Sequence, residues 1–370
     1  MRTAVIFAVA AVLSVLFCLP CGATELIDGE YGRFTDALPD SLASRLPNGV
    51  GADPSSDAAA LTEWSYISDY LASVLDPGFR KAMRILASLM GLILISSAIS
   101  SLCTSLGGGV SHILSVCSGA AVCAAAVSLQ YVVLLGVATY LADLSALMNA
   151  MLPLTVSLYA LGGNVAAAGV SGSAFGVFLN VCENLLGTTV IPFAGACIAF
   201  ALLSSVPSGL DMRGVIGAVK KTYATALSFV MMLFSVLLGA QSALAAASDS
   251  VSLRAAKFVA GSVIPVLGGS VGESVRVLAS GMGVLRKSTG VLGIMLIVLL
   301  FLPVLVSLLL MRASNGIAAS FAGLLGCDRE KAVLSELSSV YGYVIGVVAM
   351  CSVSFIFALT LLVGTGVAGQ

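Results

Sequence analysis

Polar side chains that could do chemistry are rare in the apolar part of this chain, and one of them is a carboxylate. Glu183 lies inside a long apolar run, with Asn180 and Asn184 beside it. A carboxylate at membrane depth is costly to bury and often belongs to a proton or ion path. A structural carboxylate satisfied by hydrogen bonds is an equally good interpretation, so Glu183 is a candidate position for either role.

A second set of polar residues lies between positions 249 and 290. Asp249 is a residue type that caps helix N-termini, and it precedes Arg254 and Lys257 on the same predicted helix. These three residues are candidate structural or transport positions, because they concentrate charge against an apolar background.

Prolines and paired glycines interrupt three of the apolar segments. Proline removes a backbone donor and disturbs the helix interior, so Pro153, Pro192 and Pro265 predict broken or re-entrant helices. Gly268 and Gly269 follow Pro265 and strengthen the prediction there. Such breaks occur at membrane depth only where protein or a water-filled cavity covers the freed backbone. A midplane transport site near Pro192 and Pro265 is one reading of this pattern.

The residue patterns of common catalytic centres are missing from the sequence. His112 is the single histidine, which excludes a multi-histidine metal site. Outside residues 1–23 no two cysteines have metal or redox spacing, and no phosphate-binding loop of the G-x-x-x-x-G-K-[ST] type occurs. We therefore expect a protein that is not an enzyme and has no cofactor or metal. Its energy source would be a partner or an ion gradient.

The composition is that of a membrane protein. Apolar residues make up 59% of the chain, charged residues 9%, and the mean hydropathy is +1.09. Apolar runs of about 20 residues are long enough to cross a bilayer as helices, and they are apolar on every face, unlike barrel strands. The predicted fold class is therefore all-α and polytopic. The apolar segments are near 85–106, 112–142, 146–161, 173–206, 223–247, 258–284, 289–311 and 337–364.

Loop charges predict about seven spans, within a range of six to eight. The positive-inside rule places Lys220 and Lys221 in the cytoplasm, together with Arg286 and Lys287. Arg213 belongs to the same predicted cytoplasmic cluster, and a cleaved signal peptide would place residue 24 outside. An odd number of crossings must then precede Arg213, so we expect the short segment 146–161 not to cross. Three basic residues then fall outside, against the rule: Arg80, Lys81 and Arg84.

The N-terminal part divides into three predicted regions before the transmembrane domain at 83–366. Residues 1–23 have the basic start, apolar run and small-residue end of a signal peptide. Residues 24–60 are acidic and rich in Asp, Pro, Gly and Ser, which predicts a flexible extracytoplasmic segment. Residues 61–82 predict an amphipathic interfacial helix, or alternatively a partner-binding helix, with the stripe Leu61, Trp64, Ile67, Leu71 and Leu75.

Several of these elements together resemble one known family. The stretch Arg254-Ala-Ala-Lys257-Phe, the later Ile-Pro-x-x-Gly-Gly element ending at Gly269 and the basic-x-x-Gly element ending at Gly290 follow Asp249 in order. Leu152-Pro153 followed by paired glycines matches an earlier element. In this order and spacing the chain resembles the stage III sporulation protein AE family of endospore-forming bacteria, over about residues 60–370. The run at Arg286 departs from the commoner Lys-Asn-Ala-type sequence.

The resemblance implies a role that the residues alone do not give. Members of this family belong to the SpoIIIA–SpoIIQ assembly, a secretion-like channel or feeding apparatus between mother cell and forespore. This chain would then lie in the bilayer of the mother-cell-derived outer forespore membrane. Its partners would be other SpoIIIA-type membrane proteins and a separate ATPase. The charge pattern gives no basic face for nucleic acid. A stand-alone ion-coupled transporter is the alternative.

Overall fold

The computed structural model describes residues 29–47, 51, 53–103, 108–161, 165–182, 217–236 and 268–364, with a few isolated residues between positions 192 and 240. All regular secondary structure in these ranges is helical, as the sequence predicts. The helices are α1 (residues 29–36), α2 (Asp40–Ala43), α3 (Pro54–Thr62), α4 (Trp64–Cys103), α5 (Gly108–Leu161), α6 (Val165–Cys182), α7 (residues 217–236), α8 (Gly268–Leu324) and α9 (Asp328–Gly364).

Four helices in the described part are long and apolar enough to cross a membrane. They contain the segments Trp64–Leu102, Cys117–Leu161, Gly283–Leu324 and Asp328–Thr360. The predicted segments 173–206, 223–247 and 258–284 lie partly or wholly outside the described residues, as do the signal peptide and the carboxylate of Glu183. The number of about seven spans therefore stays a prediction.

The two predicted segments 112–142 and 146–161 form one continuous helix, α5. Pro153 lies within this helix and does not end it. Leu147, Met151 and Leu154 are all buried, so packing on both sides of the proline stabilises the helix through it. The Thr155 hydroxyl also donates to the Met151 carbonyl oxygen at 2.9 Å. The expected break at Pro153 is wrong, because tertiary packing outweighs one lost backbone hydrogen bond.

The acidic segment is folded where the structure describes it, which corrects the expected flexibility. Tyr31 and Phe34 of α1, Leu42 of α2 and Leu61 of α3 are at most 3% exposed. The Asp57 carboxylate accepts hydrogen bonds from the Tyr31 hydroxyl and, at 2.6 Å, from the Gly51 N–H. Aromatic and leucine side chains at helical spacing supply enough apolar surface for α1–α3 to pack on the bundle.

The predicted interfacial helix is the first part of α4, which runs without a break into the first apolar segment. Leu61, the first residue of the expected apolar stripe, lies in α3 and is buried, so the stripe does not form one face of a single helix. The α4 residues Trp64, Leu71 and Leu75 are exposed, Trp64 at 78%. Tyr66 and Tyr70 lie on the opposite side and pack inward, with their rings stacked. Their hydroxyls donate to the carbonyl oxygens of Arg45 and Leu299, which explains why the aromatic side of α4 is the buried one.

Paired contacts give the helix directions. Tyr70 meets Leu299, and further along Ala82 meets Ser314, so α4 and α8 run parallel. Gln130 of α5 meets Asn315, and further along α5 Met151 lies beside Gly293, so α5 is antiparallel to α8. α9 returns along α8 after a tight turn at residues 325–327. In this turn Gly326 has a φ of +72°, and the Cys327 N–H donates to the Ala322 carbonyl oxygen, which is the pattern of a glycine-ended helix.

The bundle changes one part of the predicted topology. Lys220 Nζ lies 3.2 Å from Glu336 Oε2, close to the end of α8 where Arg312 meets Gly342. Arg286 lies toward the other end of α8, with its guanidinium 4.0 Å from the Tyr159 ring centroid. Twenty-six residues of helix, about 39 Å, separate Arg286 from Arg312. If residues 289–311 cross the bilayer, Lys220 and Arg286 are on opposite sides rather than on the same side.

Candidate functional site: a polar cavity beside a proline-released carbonyl

Pro303 leaves one carbonyl of α8 without its helical donor. Proline has no N–H, so the Leu299 carbonyl four residues earlier cannot form the usual backbone hydrogen bond. The Tyr70 hydroxyl donates to this oxygen at 2.5 Å, and Arg45 Nη1 lies 3.4 Å from it. The same Arg45 nitrogen donates to the Tyr70 oxygen at 3.2 Å. The chain just after α2 and the start of α4 are thus tied to the proline position of α8.

A cavity of about 290 Å³ adjoins this junction. It lies between the end of α2, α4, α5 and α8, four parts of the chain that are far apart in sequence. Pro303 and Gly136 leave this space open, because glycine has no side chain to fill it. A Cβ added at Gly136 would meet nothing within 4 Å. The lining residues are Ser41, Arg45, Lys81, Val132, Val133, Gly136, Thr139, Tyr140, Asp143, Leu300, Pro303, Val304 and Ser307.

Both signs of charge line the cavity. Arg45 and Lys81 are cationic, and Asp143 is the single carboxylate among the lining residues. Asp143 Oδ2 accepts a hydrogen bond from the Ser41 hydroxyl at 2.5 Å, which joins α2 to α5. Asp143 lies within α5, well away from either end of this helix. The arrangement can bind an anionic group and a cationic group at the same time.

Buried amide groups fix the bundle near the cavity. Gln130 and Asn315 exchange two hydrogen bonds of 2.8 Å, and both residues are at most 2% exposed. Nearer the cavity, the Tyr140 and Ser352 oxygens lie 2.6 Å apart. Hydrogen-bonded polar groups in an apolar bundle specify which residues face each other. These pairs hold α5 in register with α8 and α9, and so position Thr139, Tyr140 and Asp143 on the cavity wall.

Charged residues at the α9 end of the bundle are also paired. Lys220 Nζ contacts Glu336 and lies 3.1 Å from the Ser339 hydroxyl. The Ser96 hydroxyl donates to Glu330 Oε1 at 2.5 Å, and Glu330 is 5% exposed. These contacts attach α7 and α4 to α9. Among the described residues, no group of three or more His, Cys, Asp or Glu side chains could hold a metal ion.

The residues singled out from the sequence do not converge on this cavity. Glu183, Asp249, Arg254, Lys257 and Pro265 lie outside the described residues, so their predicted roles stay predictions. The other four are described: Pro153 and Pro192 are exposed helical residues, and Gly268 and Gly269 are the first two residues of α8.

Sequence reasoning missed Arg45, Lys81 and Asp143 as a group. Arg45 is one of two basic residues in an acidic segment, and Lys81 belongs to the basic cluster that contradicts the predicted topology. Those two anomalies were the available signals. The proline at 303 is also visible in the sequence, but nothing there indicates which side chain would satisfy the carbonyl that it releases.

Comparisons with known proteins agree on one family. The family model described as stage III sporulation protein AE matches residues 56–366. A curated relative, stage III sporulation protein AE of Bacillus subtilis (strain 168), is 23% identical over 217 residues, which cover 59% of this chain and 54% of the relative. The chain thus spans about half the length of the relative that it matches. No solved structure matches the chain.

Proposed function

Because the chain belongs to the stage III sporulation protein AE family, we propose that it is a membrane component of the secretion-like channel, or feeding apparatus, that links mother cell and forespore. In this role it is required for spore development. The observation that carries the proposal is the family match over residues 56–366, which contain the four membrane-length helices found among the described residues. The proposed location is the mother-cell-derived outer forespore membrane.

The proposed role is structural and not enzymatic. Other SpoIIIA-type membrane proteins would bind the chain, and a separate ATPase would supply energy. The polar groups of the bundle support a structural role, because those between helices serve as ties: Gln130 with Asn315, and Lys220 with Glu336. Such ties hold helices in a fixed arrangement, which suits a part that must fit a larger assembly.

Gene deletion with complementation tests this proposal. In an endospore-forming host we expect deletion to stop development after engulfment, and the intact chain to restore spores. Affinity purification of the restored chain from sporulating cells should recover other SpoIIIA-type membrane proteins. Normal spore yield in the deletion strain, or purification without any such protein, would contradict the proposal.

Reconstitution tests the alternative, a stand-alone transporter. The purified chain in liposomes should not move solutes along an imposed ion gradient if it works only within an assembly. Transport by the chain alone, abolished by Glu183→Gln and unaffected by Asn180→Asp, would favour the transporter instead.

A further inference from the structure

We propose that the polar cavity binds the headgroup of an aminophospholipid, with its phosphate at Arg45 and Lys81 and its ammonium group at Asp143. The proposal starts from the charges of the lining. Two cations and one carboxylate from three distant parts of the chain surround one space of about 290 Å³. A phosphoethanolamine group carries the complementary charges, one anionic phosphate and one cationic amine.

The positions of Arg45 and Asp143 are fixed by the fold, whereas Lys81 lines the cavity with an exposed side chain. Arg45 is held by Tyr70 and the Leu299 carbonyl, and the Tyr66 hydroxyl donates to the Arg45 carbonyl at 3.0 Å. Asp143 is held by the Ser41 hydroxyl. Pre-organised groups lose little conformational entropy on binding, which favours a specific site over a diffuse surface. Guanidinium and ammonium groups are the side chains that bind phosphate best.

Apolar surface next to the opening argues for a lipid and against a free solute. Val132 lines the cavity and is 61% exposed, while Tyr131 and Leu135 beside it are 56% and 43% exposed. Acyl chains can lie on this surface while the headgroup enters the cavity. A free phosphate or amino acid would gain nothing from these side chains.

Lipid retention by the purified full-length chain tests the proposal. The chain is placed in mixed micelles with equal amounts of phosphatidylethanolamine, phosphatidylglycerol and phosphatidylcholine, and retained lipid is measured by native mass spectrometry. We expect phosphatidylethanolamine to be retained above the other two. Lys81→Gln should lower its retention about tenfold, the loss expected for one hydrogen bond to a charged group. Arg84→Gln removes the same charge one turn away, outside the cavity lining, and should change nothing.

A second variant leaves every charge in place. Gly136→Leu puts a side chain into the cavity from a position where the Cβ has free space, so the helix tolerates it. We expect it to lower lipid retention as Lys81→Gln does. Gly346→Leu on α9 is the matched control, because its Cβ also meets nothing within 4 Å. Equal retention by Gly136→Leu and Gly346→Leu would overturn the proposal, even if Lys81→Gln failed to fold.

Two further experiments distinguish which part of the lipid headgroup is bound. Asp143→Asn should erase the preference for phosphatidylethanolamine over phosphatidylglycerol without abolishing phospholipid binding. Inorganic phosphate at millimolar concentration should displace the lipid no better than chloride does. A wild-type chain that retains phosphatidylglycerol as strongly as phosphatidylethanolamine would refute the role of Asp143. Displacement by inorganic phosphate would refute the claim that the cavity prefers a lipid to free phosphate.

Discussion

The Tyr70 hydroxyl lies 2.5 Å from the Leu299 carbonyl oxygen, which Pro303 leaves without a backbone donor. A side chain from α4 thus replaces the hydrogen bond that a proline removed from α8. A buried carbonyl without a partner costs about 1–3 kcal/mol, so this contact links the two helices energetically. It also explains how a proline remains inside a helix that the structure shows as continuous.

A double-mutant cycle tests this link between Tyr70 and Pro303. Tyr70→Phe should lower the free energy of unfolding by about 1–3 kcal/mol, because the carbonyl loses its best donor. In a Pro303→Ala background the alanine N–H can donate to Leu299, so the same substitution should cost much less. Thermal unfolding in detergent, followed by circular dichroism, measures both. An equal cost in the two backgrounds would show that the hydroxyl does not act through the released carbonyl.

The amide pair between Gln130 and Asn315 predicts a second non-additive result. Gln130→Leu leaves the buried Asn315 amide without its partner and should destabilise the bundle by about 1–3 kcal/mol. The double variant Gln130→Leu with Asn315→Leu removes both polar groups and should be more stable than either single variant. Chemical or thermal unfolding of the four proteins gives the answer. Simple addition of the two single costs would mean that the pair is not coupled.

Two adjacent lysines should differ in their importance. Lys220 is 9% exposed and contacts Glu336, whereas Lys221 is exposed. Lys220→Met should destabilise the chain by about 2 kcal/mol, because it leaves a carboxylate poorly paired in a largely buried place. Lys221→Met makes the same chemical change and should have little effect. Protein level in membranes and unfolding temperature are the measurements, and similar values for both variants would contradict the pairing.

Gly293 marks the closest approach of α8 to its neighbours. A Cβ added there would lie 2.5 Å from Met151 atoms and 2.7 Å from a Leu359 methyl carbon. Gly293→Ala should therefore destabilise the bundle by about 1–3 kcal/mol, reduced to the extent that the flexible Met151 side chain moves. A Met151→Ala background should relieve part of the cost, because the Leu359 methyl carbon still lies too close. Gly346→Ala, where space is open, should be neutral or stabilising.

Cys327 in the α8–α9 turn should react slowly with thiol reagents. Burial of this thiol raises its pKa above the ordinary value, and the nearby Glu330 charge raises the pKa further by a smaller amount. The thiolate is the reactive form, so its maleimide labelling should increase only at higher pH than for an unfolded cysteine. Exposed Cys117 should label faster in the same sample. Mass spectrometry of labelled peptides checks this, with denatured protein as the control. Equal rates in folded protein would contradict the packing of the turn.

Local patterns predicted the helical class and most apolar segments, but not how the segments join or meet. The apolar composition and 20-residue runs are direct consequences of bilayer thickness, so the all-α membrane fold followed from them. Pro153 was misleading, because its effect depends on the buried side chains around it. The folded acidic segment was missed, because the Tyr31 hydroxyl meets its acceptor Asp57 only when α1 packs against α3. Arg45, Lys81 and Asp143 meet only through the tertiary fold, which no local spacing encodes.

The contacts of the N-terminal segment also set an order for biogenesis. Tyr70 and Leu299 are 229 residues apart in the chain, and Arg45 reaches the same carbonyl over 254 residues. The ribosome must therefore synthesise α8 before α1–α3 can dock, and long-range contacts of this kind form late and slowly. Until then the N-terminal segment can contact only α4 and α5, as Arg45 does with Tyr66 and Ser41 with Asp143. A nascent chain stopped before residue 299 should expose this segment to protease, and the completed chain should protect it.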